Sequence, residues 1–409
     1  GLYNQALNIL TRAYPEAVGD QTELGSLSPQ KHPMVAYFRG YCHEKLGQSG
    51  AADYRAASQL STAYVFPSTA TEYAVLQAAT KADPSDATAH YLLGTFYFSR
   101  GLVDPALTEW AEAKKAGKNI PVLDASTGLA LLHIKNDPQQ ALAAFQDGMR
   151  TDPENIAIYL GMDQALSLLH RSAQERADAL GKYPHLDSAP PPLIFELILN
   201  LAEAGDFDKA TSLFHNRFFP REEGGTNVRQ VWVEVQLQKA LAQSRAGKCG
   251  DAISTATNLA SEVPDLVFTR DGLEGIVQSA RSNYLVAKVY EHCGKSDLAE
   301  AKLKAAVNAN SPDQVRWSWL AAQKLPGFNA EQWQGRLQTA FDQAASRSET
   351  SQYPSWWMYS AGLLARELGR SDEAEARFHR ALLLPDRMLA YHFTRLANAE
   401  NTSKSPQGE

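Results

Sequence analysis

The stretch from Asp86 to Ala113, DATAHYLLGTFYFSRGLVDPALTEWAEA, sets a condition that the rest of the chain has to meet. His90, Leu93, Gly94 and Tyr97 recur at the three- and four-residue spacing of one helix face. Gly101 interrupts that helix, and Ala106, Trp110 and Ala113 begin a second stripe. Two short amphipathic helices joined by a glycine turn cover one face of each other and leave apolar surface outside, so such a pair needs neighbours on both sides. The same mark, a glycine, a short gap, an alanine and an apolar residue four positions on, returns along the chain. Gly47 goes with Ala52 and Ala56, Gly205 with Ala210 and Phe214, and Gly247 with Ala252 and Ala256. Gly294 goes with Ala299 and Leu303, and Gly369 with Ala374 and Phe378. Ala141 and Phe145 repeat it with Asn136-Asp137-Pro138 as the turn, where an Asx cap precedes proline in the first helical turn.

These marks are spaced like members of an array. Ala141 follows Ala106 by about one 34-residue period, and Ala210 follows Ala141 by about two. The order Leu93-Gly94, Tyr97, Ala106 resembles a tetratricopeptide repeat. That resemblance implies an all-α solenoid of about nine to eleven antiparallel helix pairs wound into a right-handed superhelix. No strand-like alternation persists for six residues, which agrees with an all-α fold. The small residues are expected where paired helices cross, with the large apolar residue, Trp110 among them, filling the gap to the next helix.

Several segments depart from the period. Tyr64 to Thr69 and a helical stretch from Glu72 to Lys81 are inserted between two repeats. Tyr183 to Pro192 ends in three prolines, after which Leu193 to Ala204 resumes the pattern. The array is therefore read as residues 1–182, a proline-rich loop at 183–192, a second part at 193–401 and a fraying tail at 402–409. Asn216 to Asn227, NRFFPREEGGTN, is the least repeat-like stretch. Ala6 and Leu10 sit at second-helix positions of a repeat whose first helix is missing, so the chain is expected to be the downstream portion of a longer protein. The order of a proline-rich loop, Gly205-Asp206-Phe207, Arg217-Phe218-Phe219-Pro220 and Glu223-Gly224-Gly225 is similar to bacterial proteins that join a mutarotase-like β-sandwich to a tetratricopeptide tail. That second resemblance covers about residues 180–310 and implies carbohydrate as an alternative ligand class for the whole protein, with the catalytic sandwich upstream.

Composition narrows the function classes. A net charge of −7 gives no general attraction to nucleic acid or anionic lipid. No apolar run has the roughly 18 residues of a membrane helix. Cys42, Cys249 and Cys293 are odd in number and far apart, and are read as small buried residues rather than a disulfide framework or metal site. The compartment stays open, with the cytoplasm slightly favoured over the periplasm.

No catalytic set is present: Glu222 and Glu223 are adjacent rather than facing one bond, the histidines are scattered singly, and neither a phosphate loop nor a nucleophile elbow occurs. No cofactor or metal is expected.

Function is therefore sought in binding. In the tetratricopeptide family, set positions of each first helix face the groove, and the resemblance places Tyr37, Tyr41, Tyr91, Phe98, Phe195, Tyr284, Lys288, Trp356 and Tyr359 there. Members that clamp a carboxylate end carry a Lys/Asn/Arg set at these positions. Here the set is aromatic, with Lys288 the one clear cation, so that role is disfavoured, and apolar peptide anchors or sugar faces suit it better. The loop beyond Phe214 supplies a second candidate surface, in which Arg217, Arg221, Glu222 and Glu223 make charge-assisted contacts and Phe218 and Phe219 anchor an apolar patch. The expected function is a non-catalytic scaffold for a protein partner or another domain of its own longer chain.

Overall fold

The computed structural model describes residues 1–12, 28–219, 228–261, 265–267, 272–386 and 388–402. Among these residues the chain is all-α, with twenty-two α-helices and one isolated bridge between His215 and Leu266. It divides into two compact units, Gly1–Gly161 and Met162–Glu409, the division falling inside the ninth helix. The proline-rich loop at 183–192 thus lies within the second unit.

The first unit holds α1 (Tyr3–Leu10), α2 (Pro33–Lys45), α3 (Ala51–Gln59), α4 (Ala70–Ala82), α5 (Ala87–Ser99), α6 (Val103–Lys115), α7 (Leu123–His133) and α8 (Pro138–Thr151), and ends in α9 (Ile156–Leu168). Consecutive helices pair as α2 with α3, α5 with α6 and α7 with α8. Each start is written locally: Asp86 accepts from the Ala89 N–H, Asp137 from the Gln140 N–H, and Thr69 with Glu72 forms a capping box for the inserted α4. Gly101, at φ +72°, takes the left-handed conformation that turns α5 into α6.

The pairs close on one repeated contact. A Cβ placed on Gly94 would lie 2.5 Å from the Trp110 indole, and one on Gly40 would lie 2.5 Å from the Tyr54 ring. Gly128 and Gly161 both lie against the Phe145 ring. Trp110 is buried, as expected, and its indole N–H donates to the Tyr91 carbonyl at 3.2 Å.

The second unit continues with α10 (Ala173–Leu180), α11 (Pro191–Glu203), α12 (Phe207–Ser212), α13 (Val228–Arg245), α14 (Cys249–Thr257), α15 (Leu273–Val277), α16 (Ala280–His292) and α17 (Ser296–Ala306). It ends with α18 (Pro312–Ala322), α19 (Ala330–Thr350), α20 (Pro354–Glu367), α21 (Ser371–Leu383) and α22 (Met388–Thr402). Gly362 repeats the crossing contact, a Cβ there lying 2.7 Å from Phe378. The proline run starts α11, with Pro191 in its first turn where the missing N–H costs nothing. The tail from residue 403 onward lies outside the described residues.

One expectation is overturned. Cys249 at the start of α14 and Cys293 at the end of α16 form a disulfide, with Cα atoms 5.4 Å apart and a sequence separation of 44. Only Cys42 is a free, buried thiol. The pairing is set by α14 packing on α16, which local cysteine spacing does not encode.

Two outcomes follow. Gly94→Ala is expected to cost about 1–3 kcal/mol in urea unfolding, because its methyl must displace Trp110 or part the helices. Reduction of the disulfide, or Cys249→Ser with Cys293→Ser, should lower unfolding free energy by about 2–4 kcal/mol, with Cys42→Ser as the control that leaves the reductant effect intact.

Candidate binding surfaces

In the first unit the four aromatic groove positions are mostly spoken for. Tyr37 is fully buried and its hydroxyl donates to the Asp86 carboxylate at 2.8–2.9 Å, tying α2 to the cap of α5. Burial and the Asp86 charge push the Tyr37 phenol far above its usual value. Tyr91 is buried, and half-buried Tyr41 carries the Lys45 ammonium 4.9 Å from its ring centroid. Phe98 is 37% exposed and lies 5.4 Å from the Trp110 ring. His90, on the same helix, is satisfied at both nitrogens, by Glu109 at 2.6 Å and the Pro84 carbonyl at 3.1 Å.

In the second unit two of the equivalent positions pack on α22. The half-buried Trp356 and the buried Tyr359 lie 5.9 and 5.8 Å from the Phe393 ring. Tyr284 is buried against Trp317 at 5.8 Å, and Lys288 is half-buried one turn further along α16.

Beneath these rings α22 carries charge into the interior. Arg395 donates to Glu203 at 3.1 Å and to the Asn200 side-chain oxygen at 3.0 Å, and lies 3.8 Å from Glu196. His392, with no exposed surface, stands between Glu234 at 3.3 Å and Glu203 at 3.7 Å. Arg176 donates to Glu203 at 2.7 Å, Arg281 to Glu234 at 3.0 Å, and Asn200 to Asp163 at 2.7 Å.

Burial opposes ionisation throughout this cluster, yet the partners win. Arg395, His392 and Arg176 hold Glu203 well below the usual carboxylate range, and Arg281 with His392 does the same for Glu234. The two glutamates in turn raise the His392 pKa above 6.5. With His392 protonated, four cations meet four carboxyl groups, which is how buried charge is tolerated. None of these residues was singled out from sequence. Their signal was polar spacing inside otherwise apolar helices: Glu196, Asn200 and Glu203 recur on one face of α11, and His392 and Arg395 on one face of α22.

The loop candidates separate. Arg217 donates to the Leu186 carbonyl at 2.9 Å and to the Ala189 carbonyl at 3.4 Å, which pins the strand-like segment after α12 to the proline-rich loop. Phe219 is buried, stacked on Phe195 at 5.4 Å with only 13° between the planes. Its neighbour Phe218 is 73% exposed at the lip of a cleft of about 520 Å³ whose lining includes Pro190, Pro191 and Arg217. Arg221, Glu222 and Glu223 lie outside the described residues. Among the described residues no helix is long and apolar enough to cross a membrane.

Residues 74–120, which span most of α4 and all of α5 and α6, match the tetratricopeptide repeat family. Solved structures similar to this repeat chain include YrrB, described as a tetratricopeptide protein with an unusual peptide-binding site, at 15% identity and TM-score 0.32 over 61% of this chain and 98% of that one. They also include yeast Tom70, at 14% identity and TM-score 0.34 over 92% and 84% of the two chains. A third is Naa15/Naa10 bound to HypK, at 13% identity and TM-score 0.33 over 92% and 64%. No curated protein sequence matches the chain.

The buried cluster makes stability depend on pH in a stated direction. The raised His392 pKa contributes stability that is full below 6.5 and is lost as pH rises through the folded-state value. The depressed Glu203 and Glu234 contribute stability that is present above 4.5 and is lost on acidification. The unfolding temperature of the chain should therefore fall progressively above pH 6.5, and His392→Gln should abolish that alkaline slope; equal slopes would remove His392 from the account.

Proposed function

We propose that this chain is a non-catalytic helical-repeat scaffold that binds a protein partner, or another domain of its own longer chain, through the Phe218 surface of the second unit. The observation that carries this reading is Phe218 itself. A phenyl ring that is 73% exposed gains nothing from folding, while the adjacent Phe219 is buried and Arg217 is anchored, so the exposed ring is held on a fixed base. An aromatic side chain held beside a proline-walled cleft is the kind of group that dominates protein interfaces, because it brings large contact area at small entropic cost. A break in a regular array is also where a repeat scaffold can vary without disturbing its helices.

The match to the tetratricopeptide repeat family supports a scaffold role in general. The carbohydrate alternative rests on the sequence resemblance alone. The Cys249–Cys293 disulfide supports an oxidising compartment over the cytoplasm first favoured, since glutathione-poised compartments keep such pairs reduced.

Peptides selected by display against the purified chain provide the test. Phe218→Ser is expected to weaken the selected peptides by roughly tenfold or more, about 1.4 kcal/mol. Phe66→Ser removes another ring that is 73% exposed, in the first unit, and should leave affinity unchanged. Equal affinity of wild type and Phe218→Ser, or equal loss in both variants, would overturn the assignment.

A further inference from the structure

The Cys249–Cys293 disulfide closes a loop that runs from α14 through α15 to α16, and a contact that seats the Phe218 segment lies on that loop. Within it the Asp265 carbonyl accepts from the Asn216 N–H at 3.0 Å, and Leu266 makes the isolated bridge with His215. Asn216 leads directly into Arg217 and Phe218, and Arg217 reaches back to the Leu186 and Ala189 carbonyls. The base under the exposed Phe218 ring is thus fixed at two points, one on the proline-rich loop and one on the loop that the disulfide closes.

The bond is the main constraint at the start of α14. That helix gives the core only Ala252 and Ala256, whose methyl groups remove little apolar surface from water. Its hydroxyl contacts, Thr255 to the Gln243 side chain at 3.0 Å and Thr257 to the Tyr290 hydroxyl at 3.3 Å, lie in its second half. Opening the bond returns chain entropy to the loop, so the Asp265 and Leu266 contacts on it are formed a smaller share of the time. The bond is also open to attack. Cys249 and Cys293 are only half-buried, and Lys248, Gly250, His292 and Gly294 beside them in sequence are exposed. Disulfides that thiols can reach are the ones that exchange.

We propose that the Cys249–Cys293 bond is a thiol-exchange site that gates the Phe218 surface: the oxidised chain binds there, and reduction by a dithiol lowers affinity. This rests on the reading of Phe218 as the docking surface. A thiolate of the dithiol attacks the Cys293 Sγ, a mixed disulfide forms, and Cys249 leaves as a thiolate. It leaves at the first residue of α14, where the free N–H groups of the helix end favour negative charge. The second thiol of the reductant then attacks its own sulfur in the mixed disulfide and releases Cys293. Two electrons and two protons pass to the protein, and the reductant departs as a disulfide.

The test compares the oxidised chain, the chain reduced with dithiothreitol and Cys249→Ser/Cys293→Ser, all carrying Cys42→Ser. Hydrogen exchange followed by mass spectrometry reads the coupling without any partner. Reduction should speed exchange at the Asn216 amide about tenfold and leave the amides of α20 unchanged. Peptides selected on the oxidised chain should bind the reduced chain and the double-serine variant roughly fivefold or more weakly. Removing dithiothreitol and adding glutathione disulfide should restore both readouts in the chain that has its cysteines and in neither case rescue the double-serine variant. Unchanged exchange at Asn216 would overturn the proposal, and so would equal acceleration in α20, which marks a general loss of stability. Peptides that respond to Phe218→Ser but not to reduction would overturn the gating and leave the Phe218 reading standing. Peptides that respond to neither would overturn both.

Discussion

The closest approach of two paired helices is the contact on which the rest depends. Where Gly94 meets Trp110 and Gly362 meets Phe378, a flat ring lies directly on a backbone with no Cβ. Dispersion attraction is lost steeply with distance, so this contact fixes both separation and tilt more tightly than a leucine seam does. Each pair then presents its remaining apolar face outward at a set angle, and the next helix must match it. In the first unit that logic runs through one continuous core containing Tyr37, Leu76, Leu92, Trp110 and Leu123.

The second unit solves a further problem by different means. Its last helix, α22, packs on α20 and α21 and reaches α11 and α13 through Arg395 and His392. Ala390, Tyr391, His392 and Thr394 have no exposed surface, so α22 is core in this unit. Apolar side chains alone tolerate several rotations of a helix in its seat. Charged groups do not, because a rotation of one residue would leave Glu203 or Glu234 buried without a cation. The interior polar cluster thus specifies how α22 sits.

The candidate surface at Phe218 arises where the repeat is interrupted. The Phe218 cleft is made by the proline-rich loop and the segment following α12, held together by a single arginine reaching two carbonyls. Regular helix pairs bury the residues that would otherwise be sticky, as Tyr37, Tyr91 and Phe195 illustrate, and leave chemistry to the irregular places.

Sequence determined the all-α class, the glycine turns, the small-residue crossings and the Asx cap at Asp137, because each is fixed by contacts within a few tens of positions and recurs with the period. It also marked the loops around 183–192 and 216–227 as departures from that period. What it did not determine is which of two adjacent phenylalanines faces solvent. That was decided by Phe195 lying where Phe219, and not Phe218, stacks on it. Nor did spacing reveal the Cys249–Cys293 bond, or that His392 would meet Glu234, 158 positions earlier, and Arg395 would meet Glu203, 192 positions earlier. Those pairings depend on where distant helices come to rest, and a local pattern carries the turn of each helix but not the identity of the side chains that the completed packing brings against it.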